Sequence, residues 1–203
     1  MKDKFYADNR DIVKWGGIVH LCKVNGIKTV VQVAYYREDK ISFDDEDIDL
    51  RKVVMEHFER KDILDIKRLG TRAKLDIQVL KKEFKNKKDD RKEYYDEVCK
   101  EIEKINKKKV VFLDPDKGLE PKSGCTDEHV KPNEVKRIWQ SLVQGDILVF
   151  YQCKPRGSKK GWKEDYRCDF FNRCGLKGIR LEDVRTWLAK EIAGDVVFYF
   201  IER

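Results

Sequence analysis

Val110-Val111-Phe112-Leu113, running directly into Asp114-Pro115-Asp116-Lys117-Gly118-Leu119, is the stretch on which the fold turns. Its apolar residues are mostly β-branched or aromatic, which predicts a strand. A strand wet on one side would alternate apolar with polar residues; this one does not, so both of its faces must be covered. Three other stretches read the same way: Thr29-Val30-Val31-Gln32-Val33-Ala34-Tyr35-Tyr36, Ile147-Leu148-Val149-Phe150-Tyr151 and Val196-Val197-Phe198-Tyr199-Phe200-Ile201. Helical segments separate them. That succession predicts a single α/β domain of three layers, with a mostly parallel Rossmann-type sheet between helices.

Working outward, Asp8-Asn9 offers an N-cap for a first helix, and Ile12, Trp15, Val19 and Cys22 recur at helical spacing until Asn25-Gly26 stops it. Gly16-Gly17 inside that helix costs stability and implies close approach of another backbone or a ligand. An acidic loop follows the first strand, from Glu38 to Asp49, and then a helix over 50–58. Residues 63–69 suit a short strand, and 73–106 two helices broken near Asn86-Asp89. A helix is expected over 133–143, with Val135, Ile138, Trp139 and Leu142 on one side. Between 181 and 193, Leu181, Val184, Trp187, Leu188 and Ile192 fit either a helical stripe or a strand hairpinning into the last one.

The chain has 203 residues, with 45 Lys+Arg against 38 Asp+Glu for a net charge of +7. Charged residues make up 41%, against roughly 25% in an ordinary domain. No apolar run is long enough to span a bilayer as a helix, and the start Met-Lys-Asp-Lys-Phe-Tyr carries no apolar signal region. The expectation is a cytoplasmic protein with no membrane partner. Six cysteines at irregular spacing, with no C-x-x-C pair, fit neither a disulfide framework nor a zinc ribbon. Cys22 and Cys99 read as buried apolar residues, Cys168 and Cys174 as a weaker metal or redox pair. His129 follows Cys125, Asp127 and Glu128 without a metal-ligand spacing, so no metal site is assigned.

In an open α/β sheet, ligands bind beyond the carboxyl ends of the strands. That rule singles out Asp114 and Asp116 after one strand, Gln152 after the next, and Tyr35, Tyr36 and Arg37 after the first. The expected functional crevice runs from Asp114 to Gln152. The segment 154–180, a basic insertion or loop-helix segment, carries nine lysines and arginines against three carboxylates. Lys154, Arg156, Lys159, Lys160, Lys163 and Arg167 stand there, with Trp162, Tyr166, Phe170 and Phe171 interleaved. Cations neutralise phosphates and aromatic rings stack on unpaired bases, so this is an expected nucleic-acid surface. The alternative is that the rings anchor the segment to the core.

Taken in order, Tyr6-Ala7-Asp8-Asn9-Arg10-Asp11-Ile12-Val13-Lys14-Trp15, Phe112-Leu113-Asp114-Pro115-Asp116-Lys117-Gly118-Leu119 and Val149-Phe150-Tyr151-Gln152 resemble a family of uncharacterised prokaryotic and phage proteins. More distantly the chain is similar to class I S-adenosylmethionine-dependent methyltransferases acting on nucleic acid. Asp114 matches the first acid of their Asp-Pro-Pro-Tyr motif, while Asp116 and Lys117 replace its second proline and aromatic. The resemblance places Tyr35 and Tyr36 at the cofactor position, where the family carries a glycine-containing loop. It therefore implies a methyltransferase-like fold whose cofactor site has decayed or been reshaped. Pro115-Asp116 with Gln152-Cys153-Lys154 also resembles, superficially, the PD-(D/E)xK signature of nucleases that use a divalent metal. A third reading is a non-catalytic nucleic-acid-binding module.

Overall fold

Residues 9–37, 63–85, 87–122, 124, 126–188 and 190–203 are described by a computed structural model. The expected N-cap at Asp8, the acidic loop, the helix over 50–58 and Cys125 lie outside the described residues. The apolar stretches form strands as expected: β1 is Thr29–Val33, β3 Lys109–Leu113, β6 Ile147–Cys153 and β8 Val196–Glu202. With β2 (Asp76–Leu80) and β7 (Arg185–Trp187) they make one six-stranded sheet in the order β2-β1-β3-β6-β8-β7. The first four strands are parallel, and β8 runs antiparallel to both β6 and β7. Two short strands, β4 (Gly118–Leu119) and β5 (His129–Val130), pair separately.

Successive side chains on the central strands enter different layers, as strand geometry requires. Val31, Val33, Val111 and Leu113 pack with α3 (Lys88–Glu103), α4 (Pro132–Gln140) and α5 (Trp162–Cys174). Val30, Val110 and Phe112 pack with α1 (Asn9–Val24) and α2 (Ile66–Ala73). The domain is thus α/β with helices on both faces of a mostly parallel sheet. Among the described residues no helix is long and apolar enough to cross a membrane.

Three local readings change. Residues 63–69 do not form a strand: a 3-10 turn, Ile63–Asp65, leads into α2. The helix expected from residue 73 does not start there, because Lys74 takes a left-handed backbone (φ 56°) and caps α2. Leu75 N–H then returns to Gly70 O at 2.8 Å, and the chain runs on as β2. A lysine in the position usually held by glycine gave no stop signal. The ambiguous 181–193 stretch becomes a 3-10 turn, then β7, then a short helix α6, Lys190–Ala193. Its strand reading holds where Arg185 and Trp187 pair with Phe200 and Phe198.

The first helix also sits rotated from its expected stripe. Val13, Trp15, Ile18, Leu21 and Cys22 are buried, whereas Ile12 is 58% exposed. The turn brings Asp11 and Lys14 inward. Gly17 meets the Trp187 indole, whose Cε2 would lie 3.1 Å from an added Cβ, so the group that comes close is a side chain rather than the expected backbone or ligand, and Gly16 has no such neighbour.

Candidate functional site

The carboxyl ends of β1, β3 and β6 are adjacent, so Asp114, Asp116 and Gln152 gather at one rim. Asp114 is buried beneath α1. Its Oδ1 lies 2.9 Å from Lys14 Nζ, and its Oδ2 accepts from Gln32 Nε2 at 2.9 Å. Lys14 reaches Asp11 Oδ1 at 2.9 Å as well and stands 4.7 Å over the Tyr151 ring. Burial alone would lower the Lys14 pKa, but the charges of Asp114 and Asp11 outweigh it and hold the ammonium above the ordinary lysine value. Lys14 is therefore a permanent cation binding α1 to the tip of β3.

Asp116 is ion-paired with Arg37, whose guanidinium also reaches Asp127 at 2.8 Å and Glu128 at 3.5 Å. This clasp draws the β4–β5 excursion over the rim. Gln152 completes it. Its Oε1 accepts from Leu119 N–H at 2.9 Å and its Nε2 donates to Lys117 O at 3.0 Å. Gly118, at φ 113°, passes so close that an added Cβ would lie 2.4 Å from Gln152 Oε1. The side chain acts as one more strand neighbour for residues 117–119. The three candidate catalytic residues thus come together, with their polar atoms engaged in holding the rim shut.

Tyr35 and Tyr36 follow β1 directly. Tyr35 has φ 47°, a conformation bulky residues rarely adopt. Its ring turns into the core beside Phe84, 5.2 Å away edge-on, and Tyr94 and Tyr95. Burial holds the Tyr35 phenol well above its ordinary pKa. Tyr36 O accepts from Phe84 N–H at 2.7 Å, so the segments beyond β1 and β2 continue to pair. Strand order reverses between β1 and β3, which is where a doubly wound sheet places its ligand. S-adenosylmethionine held there needs backbone approach just beyond β1. No glycine follows β1: Tyr35 and Tyr36 stand there instead, Tyr35 with its ring in the core and Tyr36 paired to Phe84 on the β2 side, so the glycine-containing approach that this cofactor needs is missing. Among the described residues no three metal-type side chains cluster.

The basic segment behaves differently. Gly161, at φ 94°, turns the chain into α5, and a cleft of about 720 Å³ opens at the start of that helix. Lys154, Lys159, Lys160 and Lys163 line it with the carboxylate of Glu164, together with Thr186, Leu188 and Gly194, over a floor that includes the buried Trp162 and Val197. Arg156 is exposed on the same loop. Trp162 and Phe170 are buried and Tyr166 and Phe171 half-buried, so the rings chiefly anchor α5; Phe170 stacks 4.8 Å from Phe150. Arg167 serves as a brace: Nη1 donates to Leu181 O and Val184 O at 2.9 Å, and Nε to Glu164 Oε2 at 2.9 Å. A larger cavity of about 830 Å³, lined by His20, Lys108, Trp187 and Arg203 among others, lies at the opposite end of the strands.

Sequence reasoning missed Lys14 as the partner of Asp114; the one clue was a lysine beside Trp15 on an apolar-rich helix. Leu188 and Val197 had no local signal, because they reach the cleft only through the β7–β8 pairing.

No family model matches this chain, and no curated protein does. One solved structure with some likeness is that of a protein provisionally described as an rRNA-methylase, from Clostridium thermocellum. It is 16% identical, with 93% of this chain and 96% of that chain covered, at a TM-score of 0.37. Likeness at this level transfers neither activity nor substrate. The α/β fold of this chain rests on its own sheet.

Proposed function

We propose that this protein binds nucleic acid through the cleft at the start of α5, on a methyltransferase-like scaffold whose usual cofactor seat is closed. One observation carries the reading: four lysines, against the one carboxylate of Glu164, line an open cleft at the start of a 13-residue helix. Ammonium groups favour phosphate oxygens. The scaffold reading is supported by the strand order, with one reversed strand, β8, set between β6 and the edge strand β7. Class I methyltransferase sheets carry that arrangement. A nuclease of the PD-(D/E)xK kind needs its two signature strands as an antiparallel pair, whereas β3 and β6 pair in parallel.

Fluorescence anisotropy with labelled oligonucleotides tests the proposal. If four phosphates are neutralised, log affinity should fall against log salt with a slope of about −3. Lys159→Glu with Lys160→Glu should remove most of the binding; unchanged affinity in that double variant would sink the reading. Calorimetric titration with S-adenosylmethionine should give no saturable heat, and micromolar binding would reverse the assignment of a closed seat.

A further inference from the structure

The cavity of about 830 Å³ opens at the other end of the strands from the lysine cleft, where the last turn of α1 ends beside β8 and β7. Its volume is that of a small-ligand site. Strand pairing fixes what faces it. Arg185 stands opposite Phe200, Trp187 opposite Phe198 and Glu202 opposite Ile147, so these side chains share the face of the sheet that carries α1. Leu21 and Ile147 are buried and form the floor, while Trp187 and Phe200 are half-buried at the wall and Val24 is 60% exposed. The His20 ring lies 5.4 Å from the Trp187 indole and extends the aromatic side.

Five charged residues line the cavity, and two of them are engaged. Asp183 accepts from Arg180 N–H at 2.9 Å. Arg203 donates to Lys177 O at 3.4 Å and lies 4.9 Å over the Trp139 ring. The side chains of Lys108, Arg185 and Glu202 are exposed and have no hydrogen bond or ion pair among the described residues. Gly145, at φ 87°, leaves the space that the Lys108 side chain crosses, since an added Cβ would lie 2.8 Å from Lys108 Cε. Two free cations against one free carboxylate disfavour a cationic ligand. An anion without a ring would gain only the weak attraction of an exposed charge. A ring that carries an anion uses both the wall and the cations.

We infer that this cavity binds a small aromatic anion, a ring joined to a phosphate or a carboxylate. The ring lies against Trp187 and Phe200, and the anionic group meets Arg185. Lys108, three strands away across the sheet, adds to the positive field. The site is separate from the cleft at α5 and does not depend on nucleic-acid binding there.

Calorimetric titration of the native chain tests this with adenosine 5′-monophosphate and indole-3-acetate. Each is compared with its parts: adenosine and ribose 5-phosphate for the first, 3-methylindole and acetate for the second. At least one of the two anions should bind saturably, about tenfold more tightly than either of its parts. Which of them binds tells whether the acidic group is a phosphate or a carboxylate. Arg185→Gln, at an exposed position, should weaken that binding about tenfold, and Lys108→Gln should weaken it less; circular dichroism checks that both variants are folded. Lys159→Glu with Lys160→Glu should leave it unchanged. No saturable binding of either anion, equal binding of a part, indifference to Arg185→Gln, or loss in the Lys159–Lys160 variant would each overturn the inference. None of these results bears on oligonucleotide binding at the cleft.

Discussion

At the tips of β1 and β3, Asp11, Lys14, Gln32 and Asp114 are buried against one another, whereas around the start of α5, Lys154, Lys159 and Lys160 stand exposed in an open cleft. Both regions lie at the carboxyl ends of parallel strands, where an α/β fold offers its ligand sites. The first puts its polar groups into structure, because a charge without water needs a partner of its own. The second keeps its charge in water, where a lysine costs little and stays available to an incoming phosphate. Residue types that suggest chemistry therefore separate by burial: the acids that match a motif hold the rim together, and the plain lysines form the opening.

The largest expected effect lies in the buried network. Lys14→Met leaves two buried carboxylates without their cation and should cost about 3–5 kcal/mol in urea unfolding. Adding Asp114→Asn should recover part of that loss. A Lys14→Met chain within about 0.5 kcal/mol of the native one would break the contrast between the two regions.

Next is the closed rim. Gly118→Ala introduces a Cβ 2.4 Å from Gln152 Oε1 at a φ of 113°, and should cost about 2–4 kcal/mol. Gln152→Ala alone should also destabilise, since the buried Leu119 N–H loses its acceptor. The double variant should be less damaged than the sum of the two, because the clash is gone. Simple additivity would mean that Gly118 and Gln152 do not act as a unit.

A smaller, pH-dependent effect comes from the α1 layer behind the rim. Burial pushes the Cys22 thiol up to about 11. The folded chain therefore holds that proton more tightly than the unfolded chain. The contribution is complete below an unfolded thiol pKa of about 8.5 and is lost as pH rises toward 11, by at most about 1.4 kcal/mol per pH unit. Cys22→Ala should flatten that part of a stability–pH curve; an unchanged slope would show that the thiol is not kept from water. The smallest effect on stability belongs to the cleft. Lys159→Glu with Lys160→Glu should shift unfolding by no more than about 0.5 kcal/mol, while removing most oligonucleotide binding.

Much of this architecture was legible in the sequence. Uninterrupted apolar runs at Val110–Leu113 and Ile147–Tyr151 required cover on both faces, and that requirement leads to a sheet between two helical layers. The position of Asp114, Asp116 and Gln152 at one rim followed from strand ends. Their engagement did not, because it depends on Lys14, a hundred residues before Asp114, and on Arg37. The edge strand β2 was misread because its backbone switch sits at Lys74, which has no glycine to mark it. The aromatics of α5 carried two readings, stacking surface or core anchor, and packing of Phe170 on Phe150 favours the anchor.

The sequence by itself determined the α/β class, the positions of the four apolar strands and the concentration of positive charge after residue 153, since these depend on local composition and on the free energy of burying apolar runs. Only the tertiary structure decided which charges are neutralised and which stay open. A pairing such as Lys14 with Asp114, or the meeting of Leu188 with Lys159 in one cleft, joins residues far apart in the chain, and no local pattern encodes that meeting.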